Sequence, residues 1–357
     1  MKKKVIGFAI FGVILTVVGG VGSALFIPKA EKQSRTTIDE QYQVKKNKQN
    51  LELSIKGNIK YHLTESTDQD IHIEGQAHSV MSKQSFTWEP SESGNKTLID
   101  VAFSETGDYR DYIQLGFSQY VNIAIPTSFE SITINGAKDS SLEISGLKTT
   151  ELVLNTDSHD YTNLKNLTLD TLTVTAQNGS INLSSVKAQK KIIFKGEQGY
   201  VSLYDSRAET FDIENTDGHI SLNDLTGDST VKTEGGFVEL SALKGKTSVE
   251  TDDGDVNWED SKLTDDLTIK TSSGNIRVNL NRQPTNFSIT TKNNNGTVRL
   301  FGKDKKSLKK GTGGPALILE SLHGDIRVYD EDSEYDDYDE TFDDVETDVI
   351  NAIEENL

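Results

Sequence analysis

The chain has 357 residues, 34% of them hydrophobic, no cysteine and a formal net charge of -19. That length supports a sizeable core, and the missing cysteines exclude disulfides, thiolate metal sites, a cysteine nucleophile and a lipid-modified cysteine anchor. Residues 330–357 carry fourteen Asp and Glu and no Lys or Arg, so the remainder is left at -5 and its charge gives no support to nucleic-acid binding.

The amino end reads MKKK, a short cytoplasmic end over residues 1–4, and then runs without a charge from Val5 to Ile27. Such a stretch, at about 1.5 Å per residue, makes a helix of roughly 35 Å, enough to cross a hydrocarbon core of ~30 Å. We read residues 5–27 as one uncleaved transmembrane helix. A cleaved signal peptide is the rival, with Gly22 and Ala24 as small residues before a cut. Lys2, Lys3 and Lys4 are balanced by Lys29, Lys32 and Arg35 beyond the segment, so flanking charge leaves the orientation open. Residues 28–50 read as a linker.

Val, Ile, Leu and Thr then recur in short runs, the composition of thin strands around a narrow core. Residues 51–130 alternate in "DIHIEG", "TLIDVAF" and "YVNIAIP", expected as irregular first coils or an antiparallel cap. From residue 131 to 329 one phrase repeats. It has an apolar residue five before a glycine, a small one three before, and apolar residues two and four after. Gly179, Gly199, Gly218, Gly236, Gly254, Gly274 and Gly324 carry it, and Gly296 carries it with Ile289 and Thr291 displaced by two residues in "KNNNG". Successive glycines are 20, 19, 18, 18, 20, 22 and 28 residues apart.

Positions two apart face the same side of a strand, so each phrase is two short inward-facing strands joined at a glycine corner. A unit this small cannot bury its own core and must stack on its neighbours. The expected fold is all-β, a β-solenoid of parallel β-helix type with about ten coils of 18–22 residues. One transmembrane helix precedes it and an acidic tail follows.

"VNIAIP", then "ITINGAKDSSLEISGL", then the repeated T-x-x-G-x-[IV]-x-[LV] resemble the bacterial putative-adhesin domain family, a domain of unknown function. LiaG-like membrane-anchored proteins of Gram-positive bacteria carry that domain. The resemblance spans residues 51–329. It implies an anchored, extracellular β-solenoid at the cell envelope, in a setting of envelope-stress sensing or defence, and it brings no catalytic residues.

The residues themselves suggest no cofactor and no metal. The corners of the eight frames read NG, QG, DG, GG, DG, SG, NG and HG, which builds no carboxylate ladder for calcium. Asp252, Asp253, Asp255, Glu259 and Asp260 cluster in one coil, but Asp255 and Glu259 are expected to face solvent. His219 and His323 flank frame glycines and are expected to be exposed, while Trp258 fills an inward position.

Two segments break the repeat. "GKDKKSLKKGTGGP" reads as an inserted loop whose Lys303, Lys305, Lys306, Lys309 and Lys310 suit an anionic envelope polymer, a lipid headgroup or an acidic protein. In the tail, residues 330–357, Phe342, Val345, Val349, Ile353 and Leu357 fall at helical spacing on an acidic background. That stripe suits a docking peptide for a membrane or regulatory protein, or a cap over the last coil. The expected function is a non-catalytic structural or interaction protein of the cell envelope. A literal adhesin for host or matrix surfaces and a carbohydrate-active enzyme on a β-helix are the alternatives.

Overall fold

The computed structural model describes residues 35–78, 83–106, 120–136, 140–157, 161–260, 262–331 and 333, with residues 16 and 19–21 near the amino end. These residues hold twenty-seven strands and no helix long and apolar enough to cross a membrane. Of the expected anchor, residues 5–27, only Thr16, Gly19, Gly20 and Val21 are described, and they are helical. The stripe of Phe342, Val345, Val349, Ile353 and Leu357 lies outside the described residues.

Alternation makes the strands. Tyr120–Ile125 and Ile276–Leu280 bury every second residue, the period at which side chains return to one face. Val231, Val249, Ile269 and Leu319 pair in register along one parallel sheet. Val238, Val256, Ile276 and Ile326 do so along a second. All eight are buried. Each coil contributes one strand to each sheet, and the core is the narrow file of apolar side chains between them.

The pairings give twelve coils where about ten were expected. At about 4.8 Å per step they make a rod roughly 53 Å long. Sequence order and stacking order differ at both ends. At the amino end, Lys96–Thr106 and Tyr120–Ile125 form the outermost coil. Asn50–Lys56 and Lys60–Glu65, written earlier, sit between that coil and Ser131–Gly136 with Leu142–Ser145. At the carboxyl end, Ala316–Ser321 and Ile326–Asp330 stack directly on Leu267–Thr271 and Ile276–Leu280. Phe287–Asn293 and Val298–Leu300, written before them, lie outside. The last coil in the sequence is therefore second from the end of the rod.

Antiparallel strands close both ends. Lys83–Ser93 pairs with Lys96–Thr106, while Asp70–His78 pairs with Tyr120–Ile125 and is itself covered by Arg35–Gln43. Part of the segment read as a linker is thus a strand of the cap. Tyr42 packs edge-on against Trp88 at 6.2 Å between ring centroids, joining the two covering layers. At the far end Ser307–Lys310 pairs with Phe287–Asn293, and Lys303–Asp304 pairs with Val298–Leu300. The lysine segment is not a loop inserted into a coil, as its spacing suggested. It forms two edge strands that satisfy backbone groups the outermost coil would leave open.

Along the middle of the rod a third, narrow side appears. Lys148, Thr168, Lys187, Arg207, Thr226 and Lys244 pair one above another. The chain enters this side through Gly146, Asn166, Ser185, Asp205, Asp224 and Ala242, all at positive φ from 46° to 70°. Asn and Asp tolerate that conformation better than most side chains. This is the second turn that Leu225-Thr-Gly227 and Leu243-Lys-Gly245 announce in the sequence.

The glycine corners are of two kinds. Gly179, Gly199, Gly218 and Gly236 have φ between 91° and 115°. Gly254, Gly274, Gly324 and Gly296 are not in that region. Their N–H groups instead donate to Thr251 Oγ1, Thr271 Oγ1, Ser321 Oγ and Asn293 Oδ1 at 2.7–2.9 Å. The small residue three before the glycine thus closes these corners with a hydrogen bond. Asn293 takes that place directly, opposite Ser321, with Thr291 opposite Leu319. The frame at Gly296 is therefore not displaced by two residues.

Candidate interaction surface

A solenoid turns each outward position of a coil into a straight row of side chains. On the second sheet, the position just after the corner glycine carries Ser180, Tyr200, His219, Phe237, Asp255, Asn275, Asp325 and Thr297, and Tyr161 precedes them in the row by pairing with Ser180. Tyr200, His219 and Phe237 stack at 5.1 and 5.2 Å between centroids. His219 is therefore half-buried, not exposed as the sequence suggested, and its Nε2 lies 3.6 Å from Glu239. The imidazole beside it is the main influence holding the Glu239 carboxyl below the usual carboxylate range, against the opposing effect of burial. The rings are tilted to one another by 39° and 54° and make contact along the rod, so they fit a packing role better than a flat sugar platform.

Beyond Phe237 the same row changes chemistry. Asp255 Oδ1 accepts the Asn275 N–H at 2.6 Å, Asn275 Oδ1 accepts the Asp325 N–H at 2.9 Å, and Asp325 Oδ1 accepts the Thr297 N–H at 2.8 Å. Each side chain thus holds the backbone of the coil stacked on it. Asp255, expected merely to face solvent, is half-buried and part of this ladder.

The next outward position, three after the glycine, holds Arg277, Arg327 and Arg299 in adjacent strands. These are three of the seven arginines in the chain. Arg327 Nη2 lies 3.4 Å from Asp325 Oδ2, and Arg299 Nε lies 3.7 Å from Asp304 Oδ1. Burial works against the charge on Asp325, but the Thr297 N–H and Arg327 prevail and hold its carboxyl below the ordinary value. Sequence reasoning passed over these arginines. The signal lies in "GNIRV", "GTVRL" and "GDIRV", where each arginine falls on the outward position between the two apolar ones that define the frame.

The five lysines do not form one patch. Lys303 lies on an edge strand of the second sheet, and Lys309 and Lys310 lie on one of the first. Lys305 and Lys306 join those strands, the Lys306 carbonyl accepts from Thr291, and Lys310 donates to Gln283. On the strand next to the arginines it is Asp304 that stands opposite Arg299, while Lys303 stands opposite the buried Leu300, and Lys309 and Lys310 lie on the other sheet. One open depression of about 400 Å³ lies elsewhere, lined by Glu65, Phe129, Glu130, Lys148 and Thr149 among others, and its Glu65 is paired with Lys148 at 3.0 Å. Among the described residues no group of three or more His, Asp or Glu is placed to hold a metal ion.

Twelve stacked coils with swapped, strand-capped ends define a repeat scaffold of parallel β-solenoid type. The chain belongs to the Toastrack DUF4097 family, whose model matches residues 47–329. It is similar to a putative cell adhesion protein from Clostridium sporogenes ATCC 15579 at 12% identity, covering 83% of this chain and 100% of that one, with a TM-score of 0.20. It is similar to a putative adhesin from Bacteroides fragilis NCTC 9343 at 12% identity, covering 82% and 97%, with a TM-score of 0.33. No curated protein matches.

Proposed function

We propose that this protein is a non-catalytic interaction module of the cell envelope. Residues 5–27 hold it at the membrane and the solenoid stands on the outer side, where it serves envelope-stress sensing or defence. The observation that carries the reading is the outward face of the second sheet. One row changes from aromatic to hydrogen-bonding along the rod, and the row beside it carries arginine over the last three coils. Such a surface suits extended contact with a polymer or protein more than enclosure of a small substrate.

The partners that fit are membrane or regulatory proteins for the stripe of Phe342, Val345, Val349, Ile353 and Leu357, and an anionic envelope polymer or lipid for Lys303, Lys305, Lys306, Lys309 and Lys310. Crosslinking in membranes, followed by purification of the full-length chain, tests the first. We expect captured membrane proteins that are lost when residues 334–357 are removed, and an unchanged set would contradict a docking tail. A turnover screen on cell-wall glycans tests the absence of catalysis. Cleavage products would move the reading to a carbohydrate-active enzyme.

A further inference from the structure

The five lysines of the carboxyl end form no single patch, but they follow one path. Lys303–Asp304 runs along the second sheet, Lys305 and Lys306 cross over, and Ser307–Lys310 returns along the first. Opposed residues of an antiparallel pair share a face. Lys303 stands opposite Leu300 and Lys310 opposite Phe287, both buried, so these two lysines take inward positions over the end of the core. Leu308, half-buried, takes another, opposite Ile289. The rings of Phe287 and Phe301 meet at 6.0 Å between centroids, which brings the Lys303 and Lys310 ends of the path to the same side of the rod.

This path is short of countercharge. All five lysines are exposed, and its one acid, Asp304, is turned to Arg299 at 3.7 Å. Elsewhere Lys148 pairs with Glu65 and Lys191 with Asp212, both at 3.0 Å. Among the described residues none of the five lysines lies within ion-pair distance of a carboxylate, and Lys310 donates to the neutral Gln283. The acidic segment of the chain leaves the rod close by. The Phe301 N–H donates to the Val328 carbonyl at 2.6 Å, so the hairpin that carries Lys303 lies beside the end of Ile326–Asp330. Lys303 is two strand spacings from Val328, about 10 Å. There the Ser333 N–H donates to the Asp330 carbonyl at 3.0 Å and the Ser333 hydroxyl donates to the Asp330 carboxylate, a four-residue turn that reverses the chain. Residues 334–357 follow, with eleven Asp and Glu and no Lys or Arg.

We propose that the lysine-bearing end of the rod is a docking surface for this chain's own residues 334–357. That segment reaches up to about 80 Å when extended, ample for all five lysines. On so short a tether its effective concentration at the lysines is of roughly millimolar order, an advantage that no separate polyanion shares. Exposed ion pairs contribute little singly, so the contact holds by number and proximity and weakens with salt. An anionic polymer or lipid that takes the lysines must displace the segment, and so frees the stripe of Phe342, Val345, Val349, Ile353 and Leu357 for a partner. That exchange rests on the interaction-module reading. The resting contact does not, so the two fail separately.

Carbodiimide, which joins an amine to a carboxylate with loss of water, tests this on the full-length chain in detergent micelles at about 0.05 M salt. In the monomer, mass spectrometry should find residues 334–357 linked to Lys303, Lys309 and Lys310 at least about tenfold more often than to the similarly exposed Lys56, Lys232 and Lys246. At about 0.5 M salt that preference should fall at least about threefold. A second measurement uses Asp336→Asn, Asp337→Asn, Asp339→Asn, Glu340→Gln, Asp343→Asn and Asp344→Asn together, all outside the coils. Acetylation of Lys303, Lys309 and Lys310 should run at least about threefold faster in that variant than in the parent, with Lys56, Lys232 and Lys246 unchanged. Links spread evenly over the exposed lysines, or equal acetylation in parent and variant, would overturn the proposal by leaving the end uncovered. Links found only in crosslinked dimers would overturn it as well, by assigning the segment to a second copy.

Discussion

Glycine at a coil corner is needed for two different reasons, and only one of them is conformational. At Gly199 a φ of 115° excludes most side chains. At Gly254 the backbone is ordinary, but a Cβ would stand 2.5 Å from the carbonyl oxygen of Gly236 and 2.6 Å from Thr251 Oγ1. Stacked corners leave no room. Gly254→Val should therefore destabilise the chain by about 3 kcal/mol or more, through overpacking and displacement of the Thr251 bond. Asp255→Val is not neutral either, because the Asn275 N–H loses its 2.6 Å acceptor; we expect about 1–2 kcal/mol. Denaturant unfolding of the two variants checks the order, and equal midpoints would contradict it. The glycine period was legible in the sequence. Its cause at Gly254 was not, because close approach depends on the neighbouring coil and not on the local phrase.

At the scale of elements, the repeat told which residues pair inward but not which coil lies on which. Every frame offers the same two apolar pairs, so the Gly324 coil fits against the Gly274 coil as well as the Gly296 coil would. The clue was the 28-residue spacing from Gly296 to Gly324, enough chain to make an edge strand on each sheet and return beneath. At the amino end the cap is fastened by Glu92, which accepts from Tyr42 Oη at 2.6 Å and Lys45 Nζ at 2.8 Å, with Lys48 at 3.4 Å. Lys45 first, and then Tyr42, hold its carboxyl down to about 2, against the opposing effect of burial. Burial, with Glu92 adding to it, pushes the Tyr42 phenol up to about 12.

A depressed carboxyl stabilises the fold fully above its unfolded value, and that contribution is lost as pH falls toward its folded value. The cap should therefore hold at neutral pH and loosen between about pH 4.3 and pH 2. Hydrogen exchange across Lys83–Ser93 and Arg35–Gln43 reads this directly. Glu92→Gln should exchange faster at pH 7 and show little further change in that acid window. A variant with the parent's pH profile would contradict the assignment. The lysine strands at the other end guard an open edge. Lys303, Lys305, Lys306, Lys309 and Lys310 all changed to Thr should promote self-association, seen as higher mass in light scattering. A variant as monodisperse as the parent would deny them that role.

For the whole molecule, the solenoid class was legible because burying a repeat requires a visible period, and Val231, Val249 and Ile269 display it. The sequence was less informative about the surface. The lysines drew the eye as a run, yet the fold divides them between two sheets, while Arg277, Arg299 and Arg327, scattered over fifty residues of sequence, come together only when the swapped coils stack. The central claim is that this rod faces the outside of the cell as an interaction surface. Protease added to intact protoplasts bearing the full-length chain tests that claim most directly, with an amino-terminal tag before Met1 and an antibody to the solenoid as the two readouts. Loss of the solenoid signal with survival of a short tagged fragment is the predicted result. Full protection of the solenoid, reversed only when the membrane is opened, would contradict it.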